Sequence, residues 1–151
     1  MLECQRGQGV LSFLNLSYTN LGDFGMQNIA SGIRGTNIKS LGLSQNDITC
    51  KGIEFFVTEG LLGNQAVAPN SPHNSHFLDP KEKIDVKAEL LKRPVPNGLT
   101  DLDISLNHIG NQGVDILSTY IKSRFTSLIK LNISKCKIQV RGAVNIFRAI
   151  S

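Results

Sequence analysis

The hydrophobic positions of the chain follow one template that occurs four times. The template reads L-x-x-L-x-L, and its copies begin at Leu11, Ile38, Leu99 and Leu128. Aliphatic residues alternate with polar ones within each copy, which is the pattern of a strand with one buried face. The sequence therefore predicts a short strand that recurs along the chain.

Each copy continues with a glycine and then with helical spacing. A further aliphatic residue follows each copy, and the glycine comes four residues after it: Leu21 and Gly25, Ile48 and Gly52, Ile109 and Gly113, Ile138 and Gly142. In the third copy Val114, Leu117 and Ile121 recur at intervals of three and four residues, which places them on one face of a helix. The predicted unit is a strand, a turn and a helix. One such unit cannot bury its own apolar strip, so neighbouring units must stack and share a core.

The full template, L-x-x-L-x-L-x-x-N-x-I-x-x-x-G with a period of about 28 residues, resembles the ribonuclease-inhibitor class of leucine-rich repeats. The resemblance covers about residues 11–62 and 99–150. It implies an α/β solenoid in which a curved parallel sheet is backed by outer helices. Within a single domain over 1–151, the predicted repeats span about 11–37, 38–63, 99–127 and 128–151.

The asparagine position of the template is predicted to join neighbouring units. It is occupied by Thr19, Asn46, Asn107 and Cys136. These small side chains can form hydrogen bonds with backbone groups of adjacent turns once the chain has left the strand.

Residues 64–98 interrupt the repeat spacing and are predicted to be an insertion. The third copy starts 61 residues after the second, at Leu99 after Ile38, which is about 33 more than one period. The stretch from Asn64 to His76 is rich in proline and small polar residues and predicts a flexible loop. Capping residues followed by apolar positions on one face predict a short helix from about Pro80 to Lys92. A degenerate repeat in this stretch is the alternative, and the insertion is either functional or merely tolerated.

Charge and cysteine content limit the classes of partner. The chain has 16 basic and 12 acidic residues and a net charge of +4, with scattered basic residues and a local basic group at 81–93. Scattered charge is typical of a solvated surface, so no nucleic-acid partner is predicted. No apolar run spans a bilayer and residues 1–6 lack a secretory pattern, so we expect no membrane partner and a cytoplasmic location. Cys4, Cys50 and Cys136 are far apart in sequence and are expected to be free thiols.

No catalytic, metal-binding or cofactor-binding site is predicted. His73 and His76, with Asp79 nearby, have a spacing compatible with a metal, but they lie in a polar segment without a helix to orient them. The glycines lack the lysine and the strand-to-helix context of a phosphate-binding loop. Ran GTPase-activating proteins share the repeat class and use an arginine, yet neither Arg34 nor Arg141 lies in a matching catalytic segment. The chain is therefore predicted not to be an enzyme, with GTPase activation as a remote alternative.

The predicted binding surface consists of residues that point outward from the strands and the turns after them. The resemblance implies that partners bind the concave face of the sheet, and the candidate residues there are Phe13, Tyr18, Asp101, Asp103, Leu106 and Lys130. Two aromatic residues and a leucine on an otherwise polar face are typical binding anchors. The two aspartates and the lysine are predicted to form a local charge pair across neighbouring strands, not a catalytic dyad.

These observations predict a protein-interaction module or scaffold. The alternative is an obligate structural subunit of a larger cytoskeletal or ciliary assembly. The terminal strands lack polar caps, so we also expect self-association or further repeats through the ends.

Overall fold

Strands and helices alternate along the chain. The computed structural model describes residues 11–33, 36–61, 98–123 and 126–151, which we call units 1 to 4. The strands are β1 (Phe13–Asn15), β2 (Ser40–Gly42), β3 (Asp101–Asp103) and β4 (Lys130–Asn132). The helices are α1 (Gly22–Ile33), α2 (Cys50–Phe55), α3 (Gly110–Lys122) and α4 (Val140–Ile150). No helix of these four units is long and apolar enough to cross a membrane.

The four strands form one parallel sheet in the order β1-β2-β3-β4. The middle residues of the strands are register partners, and they are Leu14, Leu41, Leu102 and Leu131. The predicted alignment of the template leucines in neighbouring parallel strands is therefore confirmed, and the fold is an α/β repeat fold. β2 pairs directly with β3, although contacting residues of the two units are 61 positions apart. Residues 64–97 of the predicted insertion, with the helix expected from about Pro80 to Lys92, lie outside the described residues.

The core lies between the sheet and the helices. Leu41 and Leu102 are buried from the strand side, and Met26, Phe56 and Leu117 are buried from the helix side. Burying one such side chain contributes roughly 1.5–3 kcal/mol. The corresponding leucines of β1 and β4 are only half-buried, because each has a neighbouring strand on one side. Most of the core energy therefore resides in units 2 and 3.

Asparagine side chains hold the turns after the strands. The Asn107 carboxamide oxygen accepts hydrogen bonds from the backbone N–H groups of Asn46 (3.0 Å) and Ile48 (3.1 Å). Its amide nitrogen donates to the carbonyls of Leu43 and Ile104, each at 2.9 Å. Asn46 makes the equivalent bonds to unit 1, and the Cys136 thiol donates to the Ile104 carbonyl. The template position thus joins each unit to the one before it.

At one position of these turns, the backbone N–H donates to the unit that follows. The N–H of Tyr18 donates to the Ser44 carbonyl at 2.9 Å, and the N–H of Gln45 donates to the Ser105 carbonyl at 3.0 Å. The N–H of Leu106 likewise donates to Ser134 in unit 4 at 2.9 Å. This position therefore donates to the following unit, whereas the N–H of His108 donates back to the Ile48 carbonyl of unit 2 at 2.8 Å.

The helix of unit 2 differs from the other three. It is α-helical over Cys50–Phe55 and continues as a wider π-helix over Phe56–Leu61. Phe56 and Leu61 are both buried, and the wide turn accommodates their five-residue spacing on the core side. Gly60 lies so close to α1 that a Cβ there would come within 3.1 Å of the Ala30 Cα. A side chain at this position would therefore have to displace α1 by a few tenths of an ångström.

Polar side chains at the start of one helix cap the start of the next. The Asp23 carboxylate accepts hydrogen bonds from the Thr49 N–H (2.8 Å), the Thr49 hydroxyl (2.6 Å) and the Gly52 N–H (3.0 Å). Asn111 does the same for α4, since its side-chain oxygen accepts from the Gln139 N–H at 2.9 Å. N-terminal N–H groups that have no partner within their helix are thereby satisfied.

Candidate functional site

The candidate site is the face of the sheet opposite the helices, which we call the strand face. One register row across this face consists of Phe13, Ser40, Asp101 and Lys130. Neighbouring strands lie about 4.8 Å apart, so this row is about 14 Å long. The predicted residues are therefore spread across the whole sheet and do not form a single cluster.

The three predicted apolar anchors are exposed to different degrees. The exposed fraction is 60% for Phe13, 69% for Tyr18 and 37% for Leu106. Phe13 lies on β1, whereas Tyr18 and Leu106 occupy equivalent turns two strands apart, about 10 Å from each other. The aromatic pair is thus at the unit 1 edge of the strand face, and the leucine is nearer its other edge.

The turn position of Tyr18 and Leu106 has a left-handed backbone in every unit. The φ angles are 64° at Tyr18, 51° at Gln45, 58° at Leu106 and 55° at Lys135. Residues with a side chain disfavour this region by roughly 1–2 kcal/mol, and glycine or asparagine adopts it most easily. The turn imposes this conformation in all four units, yet in two of them the residue has a large apolar side chain, Tyr18 or Leu106.

The predicted charge pair is present between β3 and β4. The Lys130 Nζ lies 3.1 Å from Oδ1 of Asp101, and the Thr100 hydroxyl donates to Oδ2 at 2.7 Å. The Thr100 hydroxyl and then the Lys130 ammonium lower the pKa of Asp101 below its usual value of 3.8. Asp103 is oriented differently, because its Oδ1 accepts from the Ser105 N–H of its own turn at 2.9 Å. The pair therefore consists of Asp101 and Lys130 alone.

The centre of the strand face is closed by two serines. Strand alternation predicts that Ser44 and Ser105 point outward, but both are buried and their hydroxyl oxygens lie 2.9 Å apart. The chain turns after each strand, which brings these residues of units 2 and 3 together. The middle of the face is consequently small and polar, with larger side chains toward its edges.

The two described cysteines are not joined by a disulfide, and the one described candidate arginine lies beside a carboxylate. Cys50 and Cys136 are free thiols, and burial raises the pKa of Cys136 above its usual value of 9.0. Arg141 lies 3.7 Å from the Asp115 carboxylate. Within units 1 to 4, no group of three or more histidine, cysteine or acidic residues is arranged to hold a metal ion. Cys4, Arg34, His73, His76 and Asp79 lie outside the described residues.

Sequence reasoning missed an apolar row on the outer side of α4. Val140, Val144 and Phe147 occupy successive turns of the helix and are exposed. They align with Asn111, Asp115 and Ser118 of α3, which contact or face α4. A comparison of equivalent helix positions between units would have shown this change from polar to apolar residues, but the template does not include those positions.

Comparison with known families supports the repeat interpretation. The family described as "Leucine Rich repeat" matches residues 10–30, 98–118 and 126–147, which begin near the strands of units 1, 3 and 4. No curated protein matches the chain. Leucine-rich repeats generally mediate contacts between proteins. The matched ranges, together with the shared register of the four strands, support the assignment of this chain as a leucine-rich repeat protein.

Proposed function

We propose that this chain is a protein-interaction module of the ribonuclease-inhibitor type, with the strand face as its binding surface. The spacing from Leu14 to Leu41 is 27 residues and that from Leu102 to Leu131 is 29, which supports this long-repeat class. A helix after every described strand supports it as well. Rigid parallel strands hold the outward side chains in fixed positions, as a preorganised binding surface requires.

The observation that carries the proposal is the pair of large apolar side chains in left-handed turns. Tyr18 is 69% exposed, so burial within the chain recovers little of the backbone free energy lost at its φ of 64°, and Leu106, at φ 58°, is still 37% exposed. A small polar residue would satisfy the turn better. Contact with a partner would explain both residues, because exposed aromatic and aliphatic side chains on a polar face are typical anchors.

Affinity capture with the chain as bait tests the proposal. The variant Phe13→Ala/Tyr18→Ala/Leu106→Ala removes all three anchors, and Phe24→Ala is the control because Phe24 is an exposed aromatic on α1, away from the strand face. Anchors of this kind contribute about 1–2 kcal/mol or more each, so the triple variant should lose any captured partner.

The result is interpretable only if both variants keep the wild-type circular dichroism spectrum. A partner retained by Phe24→Ala and lost by the triple variant supports the strand face as its site. A partner retained by all three proteins contradicts the proposal.

The second candidate function is that of an obligate subunit of a larger assembly. It is favoured by the template leucines, which are half-buried in β1 and β4 but fully buried in β2 and β3. A reversible binding module should purify as a stable monomer, whereas an obligate subunit should aggregate or fold only with its partner. Sedimentation of the isolated chain distinguishes the two functions.

A further inference from the structure

The outer side of unit 4 differs in chemistry from the corresponding sides of units 1 and 3, whereas in unit 2 the same row includes the buried aliphatic Val57. In α1 and α3 the row of residues facing the next helix is polar or small, as in Asp23 and Ala30 or Asn111 and Ser118. In α4 the same row consists of Val140, Val144 and Phe147, which we call the end row. The exposed fraction is 80% for Val140 and 66% for Phe147.

The end row is bulkier and more apolar than the helix rows of α1 and α3 that contact a following unit. The small side chain at the third position allows the next helix to approach closely, as Gly60 approaches Ala30 to within contact distance. Phe147 occupies that position in α4 and is larger than its counterparts Ala30, Val57 and Ser118. The Asp115 position, which accepts a hydrogen bond from Asn145 at 2.6 Å in the α3–α4 contact, is a valine in α4. The end row therefore fits a partner that is bound through apolar contact.

A groove lies beside the end row, between β4 and α4. It has a volume of about 310 Å³. Its lining is entirely aliphatic and consists of Ile121, Leu128, Ile129, Leu131, Ile133, Ile146 and Ile150. A concave groove of this size admits side chains that project from a helix, as in helix-in-groove recognition. A flat lipid surface would leave it empty.

The charged residues of unit 4 are all basic, although Lys130 and Arg141 are paired with Asp101 and Asp115 of unit 3. Residues 126–151 include no acidic residue, and their basic residues are Lys130, Lys135, Lys137, Arg141 and Arg148. On α4, Arg141 and Arg148 are seven residues apart, so they share the solvent side of the helix, about 90° from the end row. Lys135 and Lys137 are exposed in the turn before the helix. Opposite charge on a partner would therefore be favoured on either side of the apolar surface.

We infer that the end row and its groove bind an amphipathic helix of a partner protein, with aliphatic residues on one face and acidic residues along its borders. This surface is separate from the strand face and does not depend on the function proposed for it. The aliphatic side chains of the partner fill the groove and cover Val144 and Phe147. Its carboxylates lie near Arg148 and the turn lysines.

The test uses the whole chain and two synthetic helical peptides labelled with fluorescein. Both peptides have leucine on one face, and the other face is glutamate in one peptide and lysine in the other. Fluorescence anisotropy should show that the glutamate peptide binds at least about tenfold more tightly than the lysine peptide. Higher salt should weaken the binding of the glutamate peptide, because exposed charges are screened.

The variant Val144→Asp/Phe147→Ser gives α4 the residues that α3 has at these positions, Asp115 and Ser118, and so should fold. It should weaken binding of the glutamate peptide by at least about tenfold. Phe24→Ser is the matched control, because Phe24 is 78% exposed on α1 and its replacement should leave binding unchanged. Arg148→Gln should weaken binding several-fold and reduce its dependence on salt. Thermal melts followed by circular dichroism verify that all variants are folded.

Three outcomes would overturn the inference. The first is equal binding of the two peptides, or binding that the double variant does not change. The second is oligomerisation of the chain in sedimentation experiments that the double variant abolishes, since a second copy would then occupy the surface. The third is binding to phosphatidylcholine–phosphatidylserine vesicles that the double variant abolishes, with no binding to either peptide.

Discussion

Individual side chains, not only backbone pairing, hold neighbouring units of this chain together. Asn107 is completely buried and satisfies backbone groups in both unit 2 and unit 3. A buried N–H or carbonyl that loses its partner destabilises a protein by roughly 1–3 kcal/mol. One asparagine with several such partners should therefore matter far more than its size suggests.

Replacing Asn107 with alanine is expected to lower the free energy of unfolding by roughly 2–4 kcal/mol, because several buried backbone groups lose their partners. Urea denaturation followed by circular dichroism measures the change. Asn132→Ala is the control, since the exposed Asn132 side chain accepts only from the Ser134 N–H of its own turn. Equal losses for the two variants would show that the role assigned to the buried asparagine is wrong.

The residues that the template contains could be predicted, and those that depend on the neighbouring unit could not. The buried leucines and Asn107 recur at fixed positions, so their roles follow from one strand and its turn. The burial of Ser44 against Ser105 depends on the distance between two neighbouring turns, which the alternating pattern of a strand does not determine. The charge pair of Asp101 with Lys130 was predictable, because neighbouring strands place them side by side.

At the scale of secondary structure, the start of a helix depends on the helix before it. Asp23 belongs to α1, but all three of its hydrogen bonds stabilise the start of α2. Helix prediction from sequence looks for a cap immediately before the helix, and so it finds Thr49 and misses Asp23. The sign of this contact is the glycine at position 52, because a Cβ on that residue would lie 2.5 Å from the Asp23 carboxylate oxygen.

Asp23→Ala is expected to destabilise the protein by roughly 1–2 kcal/mol, the usual effect of losing a helix cap. Asp23→Asn should retain much of this stability, because Asn111 shows that a carboxamide caps the next helix at the same position. Chemical denaturation of the two variants and the wild-type chain gives the comparison. The Thr49 and Gly52 N–H groups donate to the same Asp23 oxygen, which asparagine would retain as its amide oxygen. If the asparagine variant were as unstable as the alanine variant, these two hydrogen bonds would not be the source of the stability.

At the scale of the whole molecule, stability should be highest in the middle of the sheet. Each unit contacts its sequential neighbours, so units 2 and 3 are covered on both sides and units 1 and 4 on one side. Repeat proteins of this kind gain stability from contacts between nearest neighbours. The half-buried leucines of β1 and β4 are the direct structural sign of weaker ends.

Amide hydrogen exchange is expected to show this gradient. The N–H groups of Leu43 and Ile104, in units 2 and 3, should exchange more slowly than that of Leu16 in unit 1, although all three donate to a neighbouring carbonyl within 3.0 Å. Exchange followed by NMR or mass spectrometry at neutral pH measures the rates. Uniform protection across the four units would indicate that they unfold together, which would contradict nearest-neighbour stability.

At one turn position the backbone N–H donates in the same direction in three units, which makes the two edges of the sheet chemically unequal there. The Tyr18, Gln45 and Leu106 N–H groups all point toward the following unit, so a unit has a donating side and an accepting side in its turn. A unit grafted from this chain into another array would retain these bonds only in its original orientation. Protein engineers who lengthen, shorten or permute such an array must therefore preserve the polarity of every junction.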